Sequence, residues 1–154
     1  MEPPQQIEAN AGADYLEVIS KAVFQSGMSW AIVERKWDGF REAFCGFEPE
    51  VVAAFTGSDI ERLTADAAII RNRRKIEATV HNARQIIEAE DEHGNFRSYL
   101  RSHGDFEATV ADLRTRFKFL GDFGCFYFLY VVKEPVPSYA DWCASRGVEP
   151  VALS

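Results

Sequence analysis

Apolar residues recur at spacings of three and four along most of the chain, the pattern of helices that each bury one face. From Asp14 onward Tyr15, Leu16, Ile19, Ala22 and Val23 fall on one side, and Gly27 ends the segment. Ser29 is placed to cap a second helix through Trp30, Ile32, Val33, Trp37, Phe40 and Phe44, stopped by Gly46. Pro49 suits the first turn of a short helix over 50–55. Ser58, with Glu61 three residues later, predicts a capping box for another helix ending near Leu63. The longest periodic stretch is 73–90, with Ile76, Val80, Ala83, Ile86 and Ile87 on one face and an acidic tail that Gly94 breaks. Shorter helices are expected over 95–102 and 107–116, and a last one from Ser138 to Arg146. Leu120 to Val132 is nearly all apolar and rich in strand-favouring Phe, Tyr and Val. Its length and its helical neighbours predict a buried helix instead. The fold class expected is all-α: one compact helical domain over 14–146, a flexible N-terminal lead-in over 1–13 and a C-terminal tail over 147–154.

Composition narrows the class. Hydrophobic residues make up 47% of the 154 and charged residues 27%, which excludes disorder as the main state. No apolar run approaches the roughly 18 residues of a membrane span. The start, Met1-Glu2-Pro3-Pro4-Gln5-Gln6, lacks the basic and apolar regions of a signal peptide. Cys45, Cys125 and Cys143 are odd in number and without CxxC spacing, as expected of a reduced cytoplasmic chain rather than a disulfide scaffold. They and the three histidines fit no tetrahedral metal spacing, so neither metal nor cofactor is expected. A monomer is the default.

The net charge of −7 speaks against a general nucleic-acid coat, but its distribution is uneven. The first fifty residues carry nine acidic and four basic side chains, whereas Arg71, Arg73, Arg74 and Lys75 place four cations within five positions. A basic first turn opposes the helix dipole. It implies either carboxylate neighbours (Asp59, Glu61 and Asp66 are near in sequence) or an anionic partner.

Two further segments carry candidate chemistry. Phe24-Gln25-Ser26-Gly27-Met28-Ser29-Trp30 joins two helices through a glycine. It reads either as a helix cap followed by core residues, or as a tight loop that pushes Gln25 and Met28 outward beside a stacking Trp30. Proteins that extract a base fill the vacated stack with such a wedge and hold the base on an aromatic face. Phe117-Lys118-Phe119-Leu120-Gly121-Asp122-Phe123-Gly124 is a short interhelical glycine turn, able to aim backbone N–H groups at a phosphate beside Lys118.

Taken in order, these blocks resemble the DNA-3-methyladenine glycosylase I family. The match runs from Gln25-Ser26-Gly27-Met28-Ser29-Trp30 through Phe40-Arg41-Glu42-Ala43-Phe44 and Phe47-Glu48-Pro49. It continues through Ile69-Ile70-Arg71-Asn72-Arg73-Arg74-Lys75-Ile76-Glu77-Ala78 and Asn82-Ala83-Arg84 to Phe117-Lys118-Phe119-Leu120-Gly121. The resemblance implies an all-α helix-hairpin-helix glycosylase-like domain that flips an alkylated purine out of double-stranded DNA and hydrolyses its N-glycosidic bond. On this resemblance Trp30 is the base-stacking tryptophan, and Gln25, Gly27 and Met28 form the intercalating loop. Leu120-Gly121 belongs to the DNA-anchoring hairpin; beside it, Lys118 and part of the block Arg71, Arg73, Arg74 and Lys75 are expected to hold the DNA backbone. No lysine follows Gly121 where a strand-cleaving relative would carry one, so a monofunctional enzyme is expected.

The chain also departs from the family. The pocket glutamate eight residues before the stacking tryptophan is Ala22 here. The zinc ligands at the two chain ends, and the N-terminal tyrosine and tryptophan, have no counterpart. The wider superfamily carries a catalytic aspartate beyond a proline-containing turn; here Gly121, Pro135 and Pro137 lead to Asp141, twenty residues after the glycine. Asp141 reads more simply as a helix-surface or capping residue, and Glu134 is a weaker candidate of the same kind. Glu17 lies over a turn from Ala22 and does not replace the missing glutamate. Two other readings stand beside an enzyme: a lesion-recognition module that kept the scaffold and lost the pocket, and a protein-interaction domain without a DNA role.

Overall fold

The computed structural model describes residues 3–150, and among them every regular element is helical. In chain order these are α1 (Gly12–Gln25), α2 (Trp30–Arg35), α3 (Trp37–Ala43), a 3₁₀ turn (Cys45–Phe47), α4 (Pro49–Ala53) and α5 (Gly57–Thr64). There follow α6 (Arg73–His93), α7 (Phe96–Leu100), α8 (Phe106–Arg116), α9 (Asp122–Val131) and α10 (Tyr139–Ser145). The long helix α6 is the spine, packed by α1, α4, α5 and α7, while α9 lies against α1 and α8. Leu16, Ile19 and Val23 of α1 share one buried core with Ile76, Ala83 and Ile86 of α6 and Phe128 of α9. These are the periodic apolar positions of the sequence, so burying the stripes drives the helices into one compact domain. Trp142 and Cys143 of α10 close a smaller cluster on Phe126.

Three local features differ from the sequence pattern. The single helix expected from Ser29 to Phe44 breaks at Lys36, whose φ and ψ are −94° and 0°. The break is held from outside: the Trp37 indole N–H donates to Glu17 (2.9 Å) and the Lys36 ammonium to the Ala67 carbonyl (2.9 Å). It turns Trp37 and Phe40 inward, stacked 4.9 Å apart. The capping box lies two residues earlier than expected. Thr56 caps α5 by accepting from the Asp59 N–H, and Asp59 accepts from the Thr56 N–H, while Glu61 pairs with Arg73 instead. The lead-in is tied to the body through its second half. The Ile7 N–H donates to Val131 (2.8 Å), Arg97 donates to the Ala9 carbonyl (2.9 Å), and Ala9 is buried. The first two residues of the lead-in and residues 151–154 of the expected tail lie outside the described residues.

The close approach of α3 to the segment before α6 gives the first prediction. A Cβ on Gly39 would lie 2.4 Å from the Ala68 carbonyl oxygen, so Gly39→Ala forces the backbones apart. We expect a loss of about 1–3 kcal/mol in urea unfolding.

Candidate functional site

The loop after α1 is built from the inside. Lys75, in the first turn of α6, is buried, and its ammonium donates to the carbonyls of Phe24 (3.3 Å) and Ser26 (2.6 Å). These belong to the last turn and C-cap of α1, whose carbonyls have no intrahelical partner. The side chain of one helix thus caps the end of another. Burial lowers the Lys75 pKa from its ordinary value. Beyond this anchor Gly27 adopts φ +72°, a region that suits glycine, and the Met28 N–H closes the turn on the Gln25 carbonyl (3.0 Å). Met28 is carried outward, 37% exposed.

The hairpin between α8 and α9 is fixed from α6. Fully buried Asn82 donates to the Lys118 carbonyl (3.2 Å) and accepts from the Lys118 N–H (2.9 Å), satisfying both backbone groups of one residue. Phe119 then takes φ +59° and stands exposed, with the Arg74 guanidinium 5.8 Å from its ring centre. Gly121 is the N-cap of α9. Asn82→Ala removes both bonds inside the protein. We expect a loss of about 1–3 kcal/mol and faster hydrogen exchange at the Lys118 amide.

Between loop and hairpin opens a cavity of about 360 Å³. Ala22, Gln25 and Trp30 form one side, and Phe119, Asp122, Gly124, Tyr127 and Tyr139 the other. Trp30 meets Tyr127 edge-on, ring centres 5.5 Å apart. Desolvation raises the Tyr127 hydroxyl above the ordinary tyrosine range, so it stays protonated at neutral pH. The Asp122 carboxylate accepts from Arg114 (3.0 Å) and pairs with Arg146, whose guanidinium lies 5.1 Å over Trp142. That ion pair and the Phe123–Trp142 contact (5.2 Å) bind α10 to the start of α9, and so bring Tyr139 to the cavity wall.

The structure thus brings Gln25, Gly27, Trp30 and Gly121 to one cavity and puts Met28 in the same loop. Three of the assigned residues stand in other surroundings than expected. Gln25 is buried in the wall, 5% exposed, and does not project as a wedge. Lys75 is spent on two carbonyls inside the protein. Asp141 is exposed on the first turn of α10 and does not line the cavity. The helical rotation of about 100° per residue explains this: with Tyr139 on the cavity and Trp142 in the core, Asp141 faces solvent.

Of the other cations, Arg73 pairs with Glu61 and Glu77, while Arg71, Arg74 and Lys118 are exposed. The first turn of α6 therefore divides between carboxylate neighbours, a carbonyl cap and solvent. Glu17 accepts from Trp37 and Arg41, and Glu134 is held by both arms of Arg101 in a separate cleft.

Sequence reasoning missed Tyr127, Asp122, Gly124 and Tyr139. All four sit in apolar or aromatic surroundings that read as core, and no periodicity in so apolar a helix separates a cavity face from a core face. No group of three His, Cys, Asp or Glu side chains able to hold a metal occurs among the described residues. Cys125 is buried, its thiol pushed up to about 12 by desolvation, and Cys143 is buried on the second cluster. No described helix is long and apolar enough to cross a membrane.

A family model described as methyladenine glycosylase matches residues 9–129. DNA-3-methyladenine glycosylase 1 of Escherichia coli is 37% identical over 91 residues, 59% of this chain and 49% of that protein. The DNA-3-methyladenine glycosylase of Haemophilus influenzae is 36% identical over 94 residues, 59% of this chain and 51% of that protein. The chain spans about half the length of the curated relatives it matches. Among solved structures, 3-methyladenine DNA glycosylase I from Staphylococcus aureus is similar with a TM-score of 0.74 at 28% identity, over 83% of this chain and 79% of that one. Another crystal structure of 3-methyladenine DNA glycosylase I gives 0.72 at 28% identity, over 82% and 81%. With a family match that extends from Ala9 to Leu129 and a shared all-helical fold, the chain belongs to the methyladenine glycosylase family.

Proposed function

We propose that this chain is a monofunctional DNA N-glycosylase of base excision repair, which flips an alkylated purine such as 3-methyladenine from duplex DNA and releases it by hydrolysis. The observation that carries the reading is the aromatic-walled cavity between an outward Met28 and the hairpin at Gly121. N3-alkylation gives the purine a positive charge and makes it a good leaving group, so the chemistry asked of the protein is modest. Met28 fills the vacated stack. The face of Trp30 favours a cationic ring over a neutral one. Backbone N–H groups at the start of α9, with Lys118, Arg71 and Arg74, hold phosphates. Asp122 is the carboxylate in the wall; neutralised by two guanidiniums, it orients a water by accepting its hydrogen bond rather than acting as a strong base. After Gly121 come Asp122, Phe123 and Gly124, with no lysine for a Schiff base, which supports hydrolysis without strand cleavage.

Ala22, which brings no carboxylate to the cavity, favours the second reading, a recognition module. Single-turnover release of 3-methyladenine from methylated duplex DNA separates the two. The enzyme reading expects release by the wild type and a fall of about 100-fold or more in Trp30→Ala, on the order of 3 kcal/mol of lost transition-state stabilisation. Absent release with salt-dependent binding to an abasic duplex would instead support the module.

A further inference from the structure

We propose that the pair Gln25–Tyr127 reads the flipped base in this chain, and that the small residues beside it admit an adenine whose N-alkyl group is larger than methyl. The inference rests on the glycosylase reading above.

The pair is built into the cavity wall. Gln25 and Tyr127 both line the cavity, and Gln25 Oε1 is buried without any hydrogen-bond partner in the protein. A buried acceptor left unpaired is costly, and such an atom marks a place where a ligand completes the bonding. The Tyr127 hydroxyl, kept protonated by burial, has its own O–H to donate. One acceptor and one donor side by side match the N6 amine and N7 of adenine, the edge that an amide side chain reads in duplex DNA. A neutral pair does not select for base charge as a carboxylate does. Selection of the cation then falls to the aromatic face of Trp30.

Room for a larger alkyl group has separate grounds. Ala22 and Gly124 meet in the wall, where a Cβ on residue 124 would lie 3.8 Å from the Ala22 methyl and 3.1 Å from Leu120 Cδ1. Two adjoining helices thus present almost no side-chain volume to this part of the cavity. Its total of about 360 Å³ already falls in the range of about 300–1,000 Å³ that holds drug-sized ligands.

Calorimetric titration of the full chain with free 3-methyladenine and free 3-benzyladenine tests both halves. We expect the wild type to bind both bases and Gln25→Leu to lose about tenfold in affinity for each. Gln25→Glu keeps the acceptor and retains binding. Ala22→Leu keeps 3-methyladenine and loses 3-benzyladenine by tenfold or more, and Gly124→Ala shifts the ratio in the same direction should Ala22→Leu fail to fold. Equal binding by Gln25→Leu and wild type would overturn the assignment of the pair. Failure of the wild type to bind 3-benzyladenine would overturn the size preference, and failure to bind either base would overturn both. The bases are added free, so binding is scored apart from bond cleavage. A protein that binds both adenines yet releases neither from DNA keeps this inference and refutes the enzyme reading.

Discussion

Replacing Trp142 by alanine is expected to lower the unfolding free energy by about 3–5 kcal/mol, the usual range for deleting a buried aromatic side chain. Trp142 is 3% exposed and packs against Phe106, Phe123, Phe126 and Tyr139, with Arg146 over its ring. The consequence reaches the cavity, because α10 carries Tyr139 in the wall and Arg146 on Asp122. On the proposed function, base release should therefore fall with stability, while binding to an abasic duplex through Met28 and the hairpin persists. Urea unfolding beside the release assay reads both. A stability loss below about 1 kcal/mol would show that α10 does not support the cavity.

Lys75→Met is the second large expected effect. The methionine keeps the apolar stem and removes the ammonium that caps α1, which leaves the carbonyls of Phe24 and Ser26 without their donor. We expect a loss of about 1–3 kcal/mol and a looser wedge loop, seen as weaker hydrogen-exchange protection at the Met28 amide. On the proposed function the salt dependence of DNA binding should not change, since the buried Lys75 ammonium is already engaged by two carbonyls. Arg71→Gln and Arg74→Gln should behave oppositely: stability within about 0.5 kcal/mol of wild type, and a salt slope reduced by about one for each phosphate no longer neutralised. A reduced slope in Lys75→Met would mean that the loop anchor also engages DNA.

This contrast shows what the sequence could and could not express. Four cations within five positions look alike along a chain, but three-dimensional placement gives Arg73 to Glu61, Lys75 to two carbonyls and Arg71 and Arg74 to solvent. The helices themselves were legible, because stripes such as Leu16–Ile19–Val23 and Ile76–Val80–Ala83 repeat at the helical period and are buried as that period requires. The break at Lys36 was not. It depends on Glu17 and Ala67, partners distant in sequence, and no local breaker residue announces it. The cap at Thr56 lost to Ser58 on paper, since both positions offer a hydroxyl with a carboxylate three residues on. Trp30 and the glycine loop stood out because a family pattern isolates them, whereas Tyr127 was hidden in a helix apolar on nearly every side. Spacing from Gly121 singles out Asp141, but the rotation of α10 turns it to solvent, whereas Asp122 lines the cavity.

On the proposed function, the flipped base lodges in the cavity between the Met28 loop and the Gly121 hairpin. The most direct test is a nuclear magnetic resonance titration of the isotope-labelled chain with free 3-methyladenine. The expected result is saturable shifts of the Trp30 indole N–H and the Gln25 side-chain amide, with the Trp37 and Trp142 indole signals unmoved. Shifts confined to other surfaces, or none at saturating base, would contradict the central claim.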